Sequence, residues 1–182
     1  MEQNSKKTLV VNLLGGPCSS KSTMATSIFS SLKWRGWNCE YVPEFAKGLV
    51  WENSLETLKD QFYVSAKQYH AIYKLLGKVD IIITDSPIIL GIVYATEEPQ
   101  CFKDTLINKF KETENFNIFL NRKKDYEQSG RLQTYEEAIQ KDKEIKDILL
   151  SNDILFYAFD ATKENVEKIT ETIEGYYRLI NK

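Results

Sequence analysis

The stretch "TLVVNLLGGPCSSKST", residues 8–23, decides the fold. Residues 8–14 form a short apolar run rich in β-branched side chains, the signature of a strand buried on both faces of a parallel sheet. The run stops at Gly15-Gly16. From Lys21 onward, Met24, Ala25, Ile28, Phe29 and Leu32 follow helical spacing up to Gly36. Strand, glycine-bearing loop, then Lys-Ser opening a helix is the context of a phosphate-binding loop, G-x-x-x-x-G-K-[ST]. Here Gly15 opens the pattern and Lys21-Ser22 closes it, but Ser20 stands where the last glycine belongs. If that position needs a positive φ, serine costs about 1 kcal/mol over glycine. Otherwise the loop takes a different path.

A working loop of this kind binds phosphate with residues 15–23: Gly15, Gly16, Pro17, Cys18, Ser19, Ser20, Lys21, Ser22 and Thr23. Consecutive backbone N–H groups make an anion nest, and the helix dipole adds positive charge. Lys21 reaches the β- and γ-phosphates of ATP, and the Ser22 hydroxyl ligates Mg²⁺.

The same alternation continues along the chain. Strands are expected at 38–43, 79–85, 116–120 and 154–159. A short helix is expected over 44–52. Ser54 opens a long one with Leu55, Leu58, Phe62, Ala66, Tyr69, Tyr73 and Leu76 on its buried stripe. Further helices are expected over 87–95 and 102–113, then from a Thr134–Glu137 capping box to about Leu149. A last helix carries Val166, Ile169, Ile173, Tyr177 and Ile180 at core spacing. Five strands separated by helices imply an α/β fold, a parallel sheet covered on both faces, with ligands at the carboxyl ends of the strands.

Chemistry-bearing residues fall at those ends. Asp85 closes "IIITD", where a carboxylate holds a magnesium-bound water, contacts a substrate hydroxyl, acts as base, or simply caps the next helix. Glu44 follows the second strand; it is a candidate general base, or a first-turn glutamate favoured by the helix dipole. After strand four, "NRKKDYEQSGRLQT" (121–134) is a candidate lid over the phosphates, with Arg122, Lys123, Lys124 and Arg131 as its cations, or a solvated basic loop. Gln61 is a candidate to read an acceptor, or a surface helix glutamine; Tyr63 and Gln68 are weaker candidates, and the single His70 reads as a surface or satisfied helix residue. Trp51 is the best stacking candidate among the tryptophans, ahead of Trp34 and Trp37.

The 182 residues suit one domain, and a net charge of −2 gives no bulk basic field for nucleic acid. Cys18, Cys39 and Cys101 match no metal spacing and fit a reduced, cytoplasmic setting. No apolar run reaches the length of a membrane span. A homodimer stays open.

The runs "GGPCSSKST", "VPEFAKGLVWE", "DQFYVSAKQ", "VDIIITDSP" and "GRLQTYEEA" resemble a family of small P-loop proteins common in bacteriophages. They are often labelled AAA-type ATPases and are similar to the ribosylnicotinamide kinase domain of the bacterial NAD regulator. The resemblance implies a three-layer P-loop NTPase sandwich. More distantly, the chain is similar to deoxynucleoside kinases. That resemblance implies Glu44 as base, Gln61 and Tyr63 as nucleobase readers, and Arg122 and Arg131 as lid arginines. Two departures stand out: Ser20 replaces the last loop glycine, and "DSP" replaces the kinases' aspartate-arginine-serine.

Three functions fit these residues. One is ATP- and Mg²⁺-dependent phosphorylation of a nucleoside, nucleotide or nicotinamide riboside. Another is phosphorylation of a hydroxymethylated pyrimidine in DNA, which the negative net charge disfavours. The third is a nucleotide-binding regulator with little turnover. At 182 residues, an AAA+ motor has no room for its helical lid domain.

Overall fold

The computed structural model describes residues 6–122 and 134–182. In chain order it contains β1 (Leu9–Leu14), α1 (Lys21–Trp34), β2 (Cys39–Val42), α2 (Phe45–Trp51), α3 (Leu55–Lys59) and α4 (Gln61–Tyr73). There follow β3 (Ile81–Thr84), a 3-10 turn (Ile88–Leu90), α5 (Gly91–Tyr94), α6 (Gln100–Lys111) and β4 (Glu114–Asn121). The chain closes with α7 (Tyr135–Ser151), β5 (Tyr157–Asp160) and α8 (Glu164–Ile180).

The five strands form one parallel sheet in the order β2-β3-β1-β4-β5. Successive side chains on a strand point to opposite faces. Leu9, Val11 and Leu13 therefore pack with Ile28 and Leu32 of α1 and Ile169 and Ile173 of α8. Val10 and Leu14 face the other way, onto Ile72 of α4, Phe110 of α6 and Leu149 of α7. Helices thus cover both faces, which gives the expected three layers. β1 lies at the switch point: the chain builds β2 and β3 on one side of it, then β4 and β5 on the other. That crevice is where an open parallel sheet receives ligands.

Three expectations need correction. The long helix from Ser54 is two helices, α3 and α4, broken at Asp60, whose carboxylate caps α4 by accepting from the Tyr63 N–H at 2.9 Å. An aspartate that bonds the following backbone favours a cap over a helix interior. The buried stripe is also rotated. Phe62 and Tyr73 are 67% and 57% exposed, while Val64, Ser65, Gln68 and Ile72 turn inward. The expected helix at 87–95 is a 3-10 turn running into the four-residue α5. The Thr134–Glu137 capping box is present at the start of α7.

Candidate functional site

The phosphate loop starts at the end of β1. Its backbone is held in three positive-φ positions: Gly15 (φ 144°), Cys18 (φ 61°) and Ser20 (φ 63°). Ser20 is therefore in the left-handed region that the pattern's glycine would occupy, and the loop follows the ordinary path at a cost of about 1 kcal/mol. Ser20 makes no side-chain cap bond to α1. No backbone amide from Ser20 to Thr23 donates a hydrogen bond among the described residues. These are the orphan donors of a helix N-terminus, and they suit an anion.

Several groups brace the loop. Lys21 Nζ donates to the carbonyls of Gly15 (2.7 Å) and Gly16 (2.8 Å), and Ser19 Oγ to Gly16 O (2.9 Å). From α7, Asp142 Oδ1 accepts the Gly16 N–H at 2.5 Å. The other oxygen, Oδ2, accepts from Arg122 at 2.8 Å, and the same guanidinium donates to the Pro17 carbonyl. Helix α7 comes so close that a Cβ on Gly16 would lie 2.6 Å from Ala138 O and 2.9 Å from Asp142 Oδ1. Glycine is required there by contact. Burial lowers the Lys21 pKa from its ordinary value, against the opposing pull of the Glu44, Asp85 and Asp142 carboxylates.

A cavity of about 290 Å³ opens beside the loop. Residues 17–23 line one side, with Glu44 from the β2–α2 corner, Gln61 from α4 and Asp85 from the end of β3. Val50, Leu58, Val64 and Leu90 add apolar wall. The structure thus gathers Glu44, Gln61 and Asp85 at one opening. Gln61 Nε2 donates to Leu58 O at 2.7 Å, which fixes its amide.

Asp85 is 2% exposed, and its Oδ1 has no hydrogen-bond partner among the described residues. Such a buried oxygen is costly unless something binds it. Tyr41 of β2 interacts through its hydroxyl with both Asp85 and Ser22. Burial first, then the Asp85 and Glu44 charges, pushes that hydroxyl well above its ordinary pKa. One hydroxyl and one carboxylate suit Mg²⁺, which keeps most of its waters. No group of three or more His, Cys, Asp or Glu side chains suited to a metal occurs among the described residues.

Other expected residues lie elsewhere. Trp51 is 63% exposed and Tyr63 stacks edge-on against Phe45 with centroids 5.7 Å apart; neither lines the cavity. Arg122 is engaged by Asp142 and the Pro17 carbonyl and does not line the cavity. Lys123, Lys124 and Arg131 lie outside the described residues. Trp37 packs in the core and donates to Glu174 at 2.8 Å, and Trp34 is exposed. His70 is exposed, and no described helix is long and apolar enough to cross a membrane.

No protein-family model matches the chain, and no curated protein matches it in sequence. Among solved structures, it is similar to the deoxyadenosine kinase of M. mycoides, solved with the products dCMP and a flexible dCDP bound. The TM-score is 0.55 at 19% sequence identity, over 94% of this chain and 100% of that one. The two chains share the fold, a parallel sheet covered by helices on both faces. At that identity the likeness carries the fold and nothing specific to ribosylnicotinamide kinases.

Within this fold, the motifs miss three residues. Asp142 stands 126 positions from the glycine it holds. Gln68, one of the weaker acceptor candidates, is buried and fully used as a brace. Its Oε1 accepts the Phe45 N–H (3.0 Å), and its Nε2 donates to Pro43 O (3.3 Å) and Thr84 Oγ1 (3.5 Å). It thereby ties the corner bearing Glu44 to the strand end bearing Asp85. Tyr41 is half-buried on β2 and belongs to no motif. Gln68 lies off the apolar stripe that hydropathy selects, so its burial gives no signal in the sequence.

Proposed function

We propose that this protein is a kinase that moves the γ-phosphoryl group of ATP, with Mg²⁺, to a hydroxyl of a nucleoside or nucleoside-like small molecule. The observation that carries this reading is that one cavity is lined by residues 17–23, Glu44, Gln61 and Asp85 together. The deoxynucleotide products in the M. mycoides enzyme, which shares the fold, support a nucleoside acceptor.

The triphosphate seats on the free amides of residues 20–23 and on the positive end of α1. Lys21 leaves the Gly15 and Gly16 carbonyls and pairs with the phosphates. Ser22 and Asp85 would hold the magnesium, whose chemistry is to neutralise charge developing on the phosphate oxygens. Glu44 accepts the proton of the attacking hydroxyl, and transfer in line then depends mainly on positioning and charge stabilisation. The apolar walls take the faces of a flat ring. Gln61 keeps its carbonyl oxygen and one N–H for the ring edge.

The test is ATP-dependent phosphorylation across deoxyribonucleosides, ribonucleosides, their monophosphates, nicotinamide riboside and hydroxymethylpyrimidine DNA. Transfer to one or more small nucleosides is expected. Transfer confined to modified DNA would move the acceptor class. Tight ATP binding without transfer to any acceptor would leave a nucleotide-binding regulator.

A further inference from the structure

The phosphate loop combines two features that oppose each other. Ser20 and Cys18 hold left-handed backbone at φ 63° and 61°, where non-glycine residues are strained. Yet residues 17–23 line the cavity, and the amides of residues 20–23 donate no hydrogen bond among the described residues. Something outside the loop has to keep it there. Lys21 and Ser19 brace it from within, but Lys21 must leave when phosphate arrives. Ser19 stays, and the brace from outside the loop comes from α7. Asp142 takes the Gly16 N–H with one oxygen and Arg122 with the other, and Arg122 reaches the Pro17 carbonyl. The ion pair is largely shielded from solvent, at 10% exposure for the Arg122 side chain and 20% for Asp142. It is therefore little weakened by screening. The close approach of α7 at Gly16 leaves it no slack.

We propose that Asp142 is a positioning residue of the phosphate loop. Through Gly16 and Arg122 it clamps the loop in the ligand-binding shape and offsets the strain that Ser20 introduces. The consequence for ligand binding rests on the proposed kinase function; the consequence for the loop itself does not. A loop that spends only part of its time in the binding shape binds its ligand more weakly by that fraction. Removing the clamp should matter most where the backbone is strained, and least where glycine relieves it.

The experiment compares wild type, Asp142→Asn, Ser20→Gly and the double variant. Amide hydrogen exchange of residues 13–24 is followed in the ligand-free protein, and the Kd for Mg-ADP is measured by calorimetry. Asp142→Asn keeps the shape but loses the charge that holds Arg122. Loop exchange should speed up and the Kd rise by about tenfold, as expected for loss of charge-assisted bonds. In the Ser20→Gly background both effects should shrink to about twofold. Unchanged exchange and Kd in Asp142→Asn would overturn the proposal. So would the same factor in both backgrounds, since that is what ordinary packing gives. If Asp142→Asn fails to fold, Arg122→Lys carries the same test, with faster exchange and rescue by Ser20→Gly expected. If wild type fails to bind Mg-ADP, the kinase reading falls, and the exchange data alone decide the clamp.

Discussion

Ser20 occupies a backbone position made for glycine. Replacing it by glycine should raise stability by about 1 kcal/mol, read in urea denaturation, and leave nucleotide affinity unchanged or tighter. Its neighbour Lys21 sits among the Glu44, Asp85 and Asp142 carboxylates. Lys21→Ala should abolish turnover, because among the described residues no other cation lines the loop side of the cavity. The two candidate acids separate by environment. Asp85 is buried with an unbonded oxygen, which suits cation binding, whereas Glu44 lines the opening from the end of another strand. Asp85→Asn should therefore raise the Mg²⁺ concentration needed for half-maximal rate. Glu44→Gln should leave that requirement alone. An unshifted Mg²⁺ dependence in Asp85→Asn would remove Asp85 from the metal site. Loop, strand-end carboxylates and lysine were legible as residues because chemistry fixes their spacing. Asp142 was not, because a lone aspartate in the charged helix α7 looks like any solvated one.

The elements around the cavity explain why α4 was read with the wrong face inward. Hydropathy chose the stripe through Phe62, Ala66, Tyr69 and Tyr73, but the face turned inward carries Ser65 and Gln68. Those polar groups are there because that face forms a wall of the site and a brace behind it. Gln68→Leu would strand the Phe45 N–H and the Pro43 carbonyl. Both groups are part-buried, and each lost bond costs about 1 kcal/mol. Stability in urea should fall by that order, and kcat should fall with it as Glu44 loses its support. A variant with lower stability but full kcat would reduce Gln68 to packing. At the start of α7, the capping box makes a plainer case: Thr134→Ala should cost about 0.5–2 kcal/mol.

At the scale of the molecule, alternation of apolar strands and helices made a parallel sheet legible, but not its order. Order depends on pairings between distant segments, and several buried apolar strands are interchangeable by pattern. The structure shows what adds identity. Asn12, in the middle of β1, donates to Asn115 at 2.8 Å and to Asn117 at 2.9 Å, both on β4. Asn117 in turn donates to Leu155 O in the segment leading to β5. This buried amide chain favours one neighbour and one register for β1, with Asn12 opposite Asn117. Asn12→Leu should lower stability by about 1–3 kcal/mol, since it leaves the Asn115 and Asn117 carbonyl oxygens short of a donor.

The proposed function rests on one cavity lined by residues 17–23 and Glu44. The most direct test is transfer of labelled γ-phosphate from ATP to a nucleoside panel by wild type and Glu44→Gln, with the Kd for Mg-ATP measured on both. The account predicts that wild type phosphorylates at least one nucleoside. It also predicts that Glu44→Gln loses about 10²–10⁴-fold in rate, with its Mg-ATP affinity within about twofold of wild type. Glu44→Gln turning over at the wild-type rate, or a wild type that labels no nucleoside, would contradict it.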